Sequence, residues 1–325
     1  MRIGIKRLAT AGVAAMVSMS FAACSSSAPT TGSGSESGES GASSATIGLA
    51  VANLQADFFN QIRQSVEKAA QERHVKVIVA DAGGDADRQV SQIQDLITQQ
   101  VDALIYIPAG ATAASVPVRT AQAAGIPVVT LDRNPEGAPG DTFIATDSVS
   151  AAKELGKWVV EKTGGEGNLG VIQGQIGTTP EIARDKGFTE GLNGFQVVEI
   201  ARQASEGWHQ DEGFDIAQDM LQAHPEINII FGRADALALG AAQAARAIGR
   251  NDILIVGFDG DKAGLQAVKD GTIAATMVQR TQYMGKLAVQ SSLDLISGKK
   301  LPAEQLQEGT LATPDNVDGF IAEHP

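Results

Sequence analysis

From Thr46 onward, short apolar runs alternate with helix-length amphipathic stretches, and the cycle is completed twice. The first set of runs is Ile47–Val51, Val75–Ala80, Ala103–Ile107, Pro127–Leu131 and Phe143–Ala145. They are almost wholly apolar, interrupted only by Lys76 and Thr130, as buried strands of a parallel sheet are. Phe59, Ile62, Val66 and Ala69 recur at helical spacing between the first two runs, and Val90, Ile93, Leu96 and Ile97 between the next two. Asp57 and Asp87 stand where the N-caps of these helices are expected. The second set is Leu169–Gln173, Val197–Ile200, Ile227–Phe231, Ile253–Gly257 and Ile273–Val278, with helices starting near Thr179, near Gln210, after Asp235 and after Asp261. Strands alternating with helices of this length imply right-handed crossovers and parallel sheets.

A helix over about Val149–Lys162, capped by Asp147 or Ser148 and stopped by Gly164-Gly165, joins the two sets. The last helix, near Gln282–Ile296, has no strand set of its own and is expected to cross back to the first. The pattern therefore predicts two doubly wound α/β lobes, and 325 residues at about 150 per domain agree with two. Such lobes bind ligands at the carboxyl ends of their strands, and two facing lobes make a cleft there.

Polar and aromatic residues gather at those ends. After the first strand come Asn53, Gln55, Asp57, Phe58 and Phe59, and after the fourth come Asp132-Arg133. The second lobe offers Arg233 and Asp235, then Phe258-Asp259 and Asp261, then Gln279. Only 4% of the chain is aromatic, so the placement of Phe58, Phe59, Trp208 and Phe258 at loop or edge positions carries information. A ring packs on the C–H face of a polyhydroxylated molecule, while its hydroxyls need paired donors and acceptors once water is removed. Plainer roles compete at some positions. Asp57, Asp235 and Asp261 suit helix caps, one of Phe58 and Phe59 suits the core, and Arg184 alone reads as a solvated helix residue. Asp132-Arg133 is harder to assign to folding, because a strand end seldom needs two adjacent opposite charges.

Residues 1–7 are basic, and Leu8–Ala23 follows as 16 uncharged apolar or small residues, shorter than the roughly 20 of a spanning helix. This reads as a secretory signal over residues 1–23. Its end, Phe21-Ala22-Ala23-Cys24, resembles a bacterial lipobox, although Phe21 stands where that motif usually has Leu. The resemblance implies cleavage before Cys24, the only cysteine, and lipidation of its thiol, which anchors the chain to a membrane. An ordinary signal with an incidental cysteine is the plainer alternative. Residues 24–45 then form a tether: positions 25–45 hold nine Ser and four Gly, too little apolar surface for a core, with ends on the order of 25 Å apart.

Composition removes other classes. A formal net charge of −13 repels phosphate backbones, so nucleic acid is not an expected partner. One cysteine, and four histidines without ligand spacing, leave no metal site, and nothing calls for a cofactor. The match of Gly165–Gly170 to G-x-G-x-x-G precedes its strand, so the dinucleotide context fails. Neither a phosphate-binding G-x-x-x-x-G-K-[ST] loop nor a nucleophile elbow occurs, and no carboxylate pair stands out as an acid–base couple. The chain reads as a non-enzyme.

Thr46–Phe59, Pro127–Arg133, Arg184–Phe188, Ala223–Pro225, Val256–Gly260 and Ala275–Gln279 together resemble ribose-type periplasmic sugar-binding proteins, in order and at matching spacing. The resemblance covers Thr46 to about residue 312. It implies the type I periplasmic binding protein fold: two doubly wound parallel-sheet lobes joined by a three-strand hinge, closing on a monosaccharide. The lobes would be residues 46–146 plus 280–308, and 147–279 plus 309–325. By the same resemblance Phe58 and Phe59 flank the sugar and Trp208 sandwiches it. Asp132, Arg133, Arg184 and Asp259 bond its hydroxyls, with Gln279 near the hinge and Phe258 beside Asp259. Ala52, Ala56 and Ala234 stand where ribose binders carry Ser, Asn and Asn. Those losses argue against ribose itself, and Gln55, Asp57 and Arg233 are the neighbours expected to reach in, with another pentose, a hexose or a polyol as ligand.

The partners so implied are a membrane permease of an ABC importer with separate ATPase subunits and, through Cys24, the outer face of a membrane, for a chain expected to be monomeric. A receptor feeding a chemosensory partner is the alternative. The same fold also serves as an effector domain of repressors, but those carry a helix-turn-helix where this chain has a signal and tether.

Overall fold

The computed structural model describes residues 45–323. The first set of elements is β1 (Thr46–Val51), α1 (Asp57–Gln71), β2 (Lys76–Asp81), α2 (Ala86–Thr98), β3 (Ala103–Tyr106), α3 (Ser115–Ala123), β4 (Val128–Leu131) and β5 (Thr142–Thr146). After α4 (Ser148–Thr163) come β6 (Glu166–Gln173), α5 (Thr179–Leu192), β7 (Gln196–Ala204), α6 (Gln210–Ala223), β8 (Ile229–Gly232), α7 (Asp235–Ala247), β9 (Leu254–Asp259), α8 (Lys262–Lys269) and β10 (Ala275–Val278). The chain ends with α9 (Thr281–Ile296), β11 (Glu304–Gln307), β12 (Thr310–Ala312) and α10 (Val317–Glu323).

Two six-stranded sheets result, in the orders β2-β1-β3-β4-β5-β11 and β7-β6-β8-β9-β10-β12. Every pairing is parallel except β12 with β10. Each order reverses once, between β1 and β3 and between β6 and β8, where a doubly wound sheet opens a crevice at its strand ends. The chain passes between sheets three times: from β5 into α4, from β10 into α9, and from β11 into β12.

The central apolar runs are strands covered on both faces, whereas the edge strands β2 and β7 are more exposed. Leu49, Ile105 and Val129 are fully buried on the first sheet, and Val171, Phe231 and Val256 nearly so on the second. Each large aliphatic side chain buried this way contributes about 1.5–3 kcal/mol. The crossing helix α9 completes the first core, where Met284, Ala288 and Val289 pack with Ile62 and Val66 of α1.

Local signals fared unevenly. Gly164 ends α4 in the left-handed conformation at φ 69°, and Asp147 caps its start by accepting from the Ser150 amide. Asp57 is not a cap: Ala56 holds that position, and Asp57 is the first helical residue, its carboxylate taking Gln61 Nε2 at 3.0 Å. Asp87 is displaced likewise. Asp85 caps α2, accepting from the Arg88 amide at 2.9 Å. The polar strand β11 and the helices α3 and α10 carried no sequence signal that the apolar-run reading could use.

Candidate functional site

A cavity of about 280 Å³ lies between the carboxyl ends of the two sheets. From the first lobe, Phe58 and Phe59 enter it at the start of α1, edge to face with centroids 5.3 Å apart. Both line the cavity and both belong to the first core, so the expected division of one core ring and one ligand ring does not occur. Asp132 and Arg133 come off the end of β4. Asp132 sits at φ 61°, in the left-handed region that an Asp side chain tolerates better than most. Arg133 is anchored, its Nη1 donating to the carbonyls of Pro108 at 2.9 Å and Ala109 at 3.2 Å. Its guanidinium lies over the Phe59 ring, 5.2 Å from the centroid.

The second lobe supplies Arg184 from α5, Trp208 from the loop after β7, and Asp259 from the end of β9. Arg184 is buried, ion-paired to Asp259 at 3.1 Å, and so is not the solvated helix residue its sequence position suggested. Asp259 holds φ 131°, a conformation nearly reserved for glycine, which the surrounding bonds must impose. Gln279 Nε2 donates to its carboxylate at 2.7 Å. Arg133 and Arg184 approach the Trp208 ring from different lobes, at 5.8 and 5.6 Å from its centroid. Arg133 Nε, Arg184 Nε and Trp208 Nε1 are buried with no hydrogen-bond partner among the described residues.

Gln55 and Asp57 also line the cavity, at its exposed margin. Five expected residues stand outside the wall. Asn53 closes the β1–α1 turn, accepting from the Gln55 amide at 2.9 Å. Phe258 points away from the cavity and packs under Arg184, 4.0 Å from ring centroid to guanidinium. Gln279 acts on Asp259 from behind. Arg233 turns beneath α5 to Glu181 and Asp185, and its carbonyl accepts from Arg184 Nη1. Asp235 is fully buried and accepts the amides of Gly260 and Asp261 at 2.8 and 2.9 Å. Conversely, His209, Gln210, Pro180 and Leu239 line the cavity without having been singled out for it; Asp261, Ala56 and Ala234, noted at the strand ends or as departures from ribose binders, line it too. Asp261 is the N-cap of α8 but makes no side-chain cap bond.

Direct bonds cross the cleft at its rim. Asn134 N donates to Thr179 Oγ1 at 2.9 Å, and Arg133 Nη1 reaches Gln175 Oε1 at 3.4 Å. On the hinge side, Gln61 Nε2 lies 3.5 Å from Asp261 Oδ1.

Burial dominates the electrostatics. It raises Asp132 against the pull of Arg133 and Arg184, and lowers Arg133. It pushes Asp259 up to about 7, with Arg184 opposing and Asp235 and Asp132 adding. Asp235 rises to about 6 from burial, despite the bonds it accepts. These folded-state values exceed the ordinary carboxylate range, so the folded chain holds extra protons between about pH 4 and 7. That stability is fully present below about pH 4 and is lost as pH rises through 6 and 7. The lowered carboxylates, Asp185, Asp252 and Asp294, act oppositely but only at lower pH. The unliganded protein is therefore expected to lose roughly 2 kcal/mol, or ~4–8 °C in melting midpoint, between pH 5 and 7.5. Differential scanning fluorimetry across that range checks it. A midpoint that is flat, or that rises with pH, contradicts the assignment, and Asp259→Asn should flatten the slope.

A model of the periplasmic binding protein domain matches residues 47–300. The ribose import binding protein of Bacillus subtilis is 36% identical over 256 residues, 79% of this chain and 83% of that one. The xylitol-binding protein of Mycolicibacterium smegmatis is 28% identical over 289 residues, 87% of this chain and 82% of that one. The crystal structure of an ABC transporter solute binding protein from Mycobacterium smegmatis with bound glycerol superposes with a TM-score of 0.82 at 27% identity, covering 86% of this chain and 97% of that one. Two parallel-sheet lobes facing across a polar and aromatic cavity agree with these binding proteins in architecture. The chain belongs to the periplasmic binding protein family, with the type I fold.

Proposed function

We propose that this chain captures a small neutral polyhydroxylated molecule, a pentose, hexose or polyol, outside the cell membrane. It delivers that ligand to the permease of an ABC importer powered by separate ATPase subunits. The observation that carries the reading is the interlobe cavity itself. Two aromatic faces, Phe59 and Trp208, stand with Asp132, Arg133, Arg184 and Asp259 around a volume of about 280 Å³, the scale of a single sugar. Hydroxyls both donate and accept, so they can serve the carboxylates and the unpartnered Arg133 Nε, Arg184 Nε and Trp208 Nε1 together. Four carboxylates, Asp57, Asp132, Asp259 and Asp261, line the cavity against the two arginines, which disfavours phosphorylated or acidic sugars.

The binding proteins of similar sequence and structure support this class: their ligands are ribose, xylitol and glycerol. Ala56 and Ala234 leave two cavity positions without the amides of ribose binders, which favours a ligand other than ribose. The closing bodies are residues 46–146 with 280–308 and 147–279 with 309–325. A ligand that bonds both favours the closed arrangement, because only differential contact shifts an equilibrium. A thermal-shift screen of pentoses, hexoses, inositols, tetritols and pentitols tests the proposal. A cognate ligand at 1,000 times its Kd stabilises by about 4 kcal/mol. If no sugar or polyol at millimolar concentration raises the midpoint, the reading fails.

Lipid attachment is part of the proposal. Cys24 and the signal before it lie outside the described residues, and the support is the sequence: a basic start, 16 uncharged residues and the only cysteine after Ala22-Ala23. Two acyl chains hold a protein stably where one does not. Cys24→Ala should move the protein from the membrane pellet to the soluble fraction in an expressing bacterium and abolish labelling by an alkyne fatty acid. Retention of both signals in the variant would refute the anchor.

A further inference from the structure

We infer that Gly174 and Glu212 are positioning residues that set the Trp208 indole as a fixed wall of the cavity before any ligand arrives. The inference rests on the cavity being the binding site, and it concerns how one wall of it is built. Trp208 occupies φ 65°, a left-handed conformation that a bulky aromatic residue takes only when its surroundings impose it. Glu212 supplies part of that constraint. From the first turn of α6 its carboxylate accepts the backbone amides of Glu206 at 2.9 Å, Gly207 at 3.0 Å and His209 at 2.9 Å. The loop bearing Trp208 is thus tied on both sides of the indole to one side chain.

Gly174 supplies the floor. A Cβ built there would meet Trp208 Cη2, Cζ2 and Cζ3 at 1.9, 2.1 and 2.2 Å, so the indole rests on the bare backbone. Gly174 is not among the glycines at positive φ, and the three atoms nearest to such a Cβ all belong to the indole. Nor can the floor easily retreat. Gly174 N donates to Glu181 Oε2 at 2.8 Å, and the preceding Gln173 Nε2 donates to Glu181 Oε1 at 2.9 Å. Glu181 is itself buried, against Arg233. One face of the cavity is therefore set within the second lobe alone, and ligands are selected against a rigid plane. A wall already in place spares the ligand the cost of ordering it.

The test needs no ligand. The chain has two tryptophans, so Trp158→Phe leaves Trp208 as the only indole reporter. In that background Gly174→Ala, and separately Glu212→Gln, should shift the emission maximum of the unliganded protein to the red and raise its acrylamide quenching constant at least twofold. The second readout is a mutant cycle in the otherwise natural chain. Gly174→Ala should lower the melting midpoint clearly when Trp208 is present and leave it unchanged, or raise it, in a Trp208→Ala background. If Gly174→Ala fails to fold alone yet folds with Trp208→Ala, the cycle gives the same answer. Equal destabilisation in both backgrounds, failure of the double variant to fold, or unchanged emission and quenching overturns the inference. A screen without any bound sugar would overturn the binding reading instead, and these spectra and midpoints would still decide this one.

Discussion

Asp132→Asn is expected to weaken binding of the cognate sugar or polyol by at least about 100-fold. The Asp132 carboxylate is buried, lies 3.6 Å from Arg133, and lines the cavity at the end of β4. A carboxylate accepting ligand hydroxyls makes charge-assisted bonds of about 1.5–3 kcal/mol each. An amide removes the charge and one acceptor oxygen, so the charge-assisted part of these bonds is lost, and a loss of about 3 kcal/mol is more than 100-fold in affinity. Asn tolerates the φ of 61° as Asp does, so the backbone has no reason to move. Calorimetric titration with the ligand found in the screen measures the loss, and the melting curve of the unliganded variant shows that the fold persists. Affinity within threefold of the unaltered protein would remove Asp132 from the site. Arg133→Ala is a different experiment. From sequence alone it is expected to spare stability as Asp132 does, but Arg133 holds the Pro108 and Ala109 carbonyls, and its loss leaves both without that donor. Reduced binding in that variant would mix two causes, which makes Asp132→Asn the cleaner probe.

The same contrast shows what could be read from the chain. Apolar runs located all ten strands of the two parallel series, most clearly the central ones such as Val128–Leu131, which are buried along their whole length. It could not find β11, whose Glu304-Gln-Leu-Gln307 has no apolar run and whose strand character comes only from pairing with β5. At the site, residues at strand ends were legible as a group, but the side each one faces was not. Phe258 and Asp259 are consecutive strand residues, so their side chains leave opposite faces, one into the core under Arg184 and the other into the cavity. Arg233 and Ala234, in the turn between β8 and α7, divide as well, with Arg233 directed to Glu181 and Ala234 to the cavity. The sequence supplies both members of each pair, and only the folded backbone chooses between them. His209 and Gln210 were missed for another reason: they reach the cavity through the turn that Glu212 folds, and a turn of that kind carries no periodicity.

Asp235→Ala should be strongly destabilising, lowering the melting midpoint by roughly 10 °C. Asp235 is fully buried at the start of α7, yet it binds nothing in the cavity. Its Oδ2 accepts the amides of Gly260 and Asp261, and its Oδ1 accepts Thr276 Oγ1 at 2.5 Å, so one carboxylate ties α7, the β9–α8 turn and β10 together. Two glycines are shaped around it, since a Cβ at Gly257 or Gly264 would come within 2.3 or 2.1 Å of its oxygens. Alanine would leave three buried donors unpaired at about 1–3 kcal/mol each, and partial rehydration brings the total to roughly 3–5 kcal/mol. Asp235→Asn keeps one acceptor and the shape, so it should cost less. Burial raises Asp235 to about 6, so the native chain loses stability as this carboxyl ionises between pH 5 and 7.5 while the Asn variant does not, and the gap between Asp and Asn should be wider at pH 5 than at pH 7.5. The same turn presents Asp259, at φ 131°, to the cavity, so the Ala variant should also bind ligand poorly even where it remains folded. Chemical denaturation of the three proteins at both pH values separates these terms. An Ala variant within about 1 kcal/mol of the unaltered chain would mean that the turn is held by packing, not by this carboxylate.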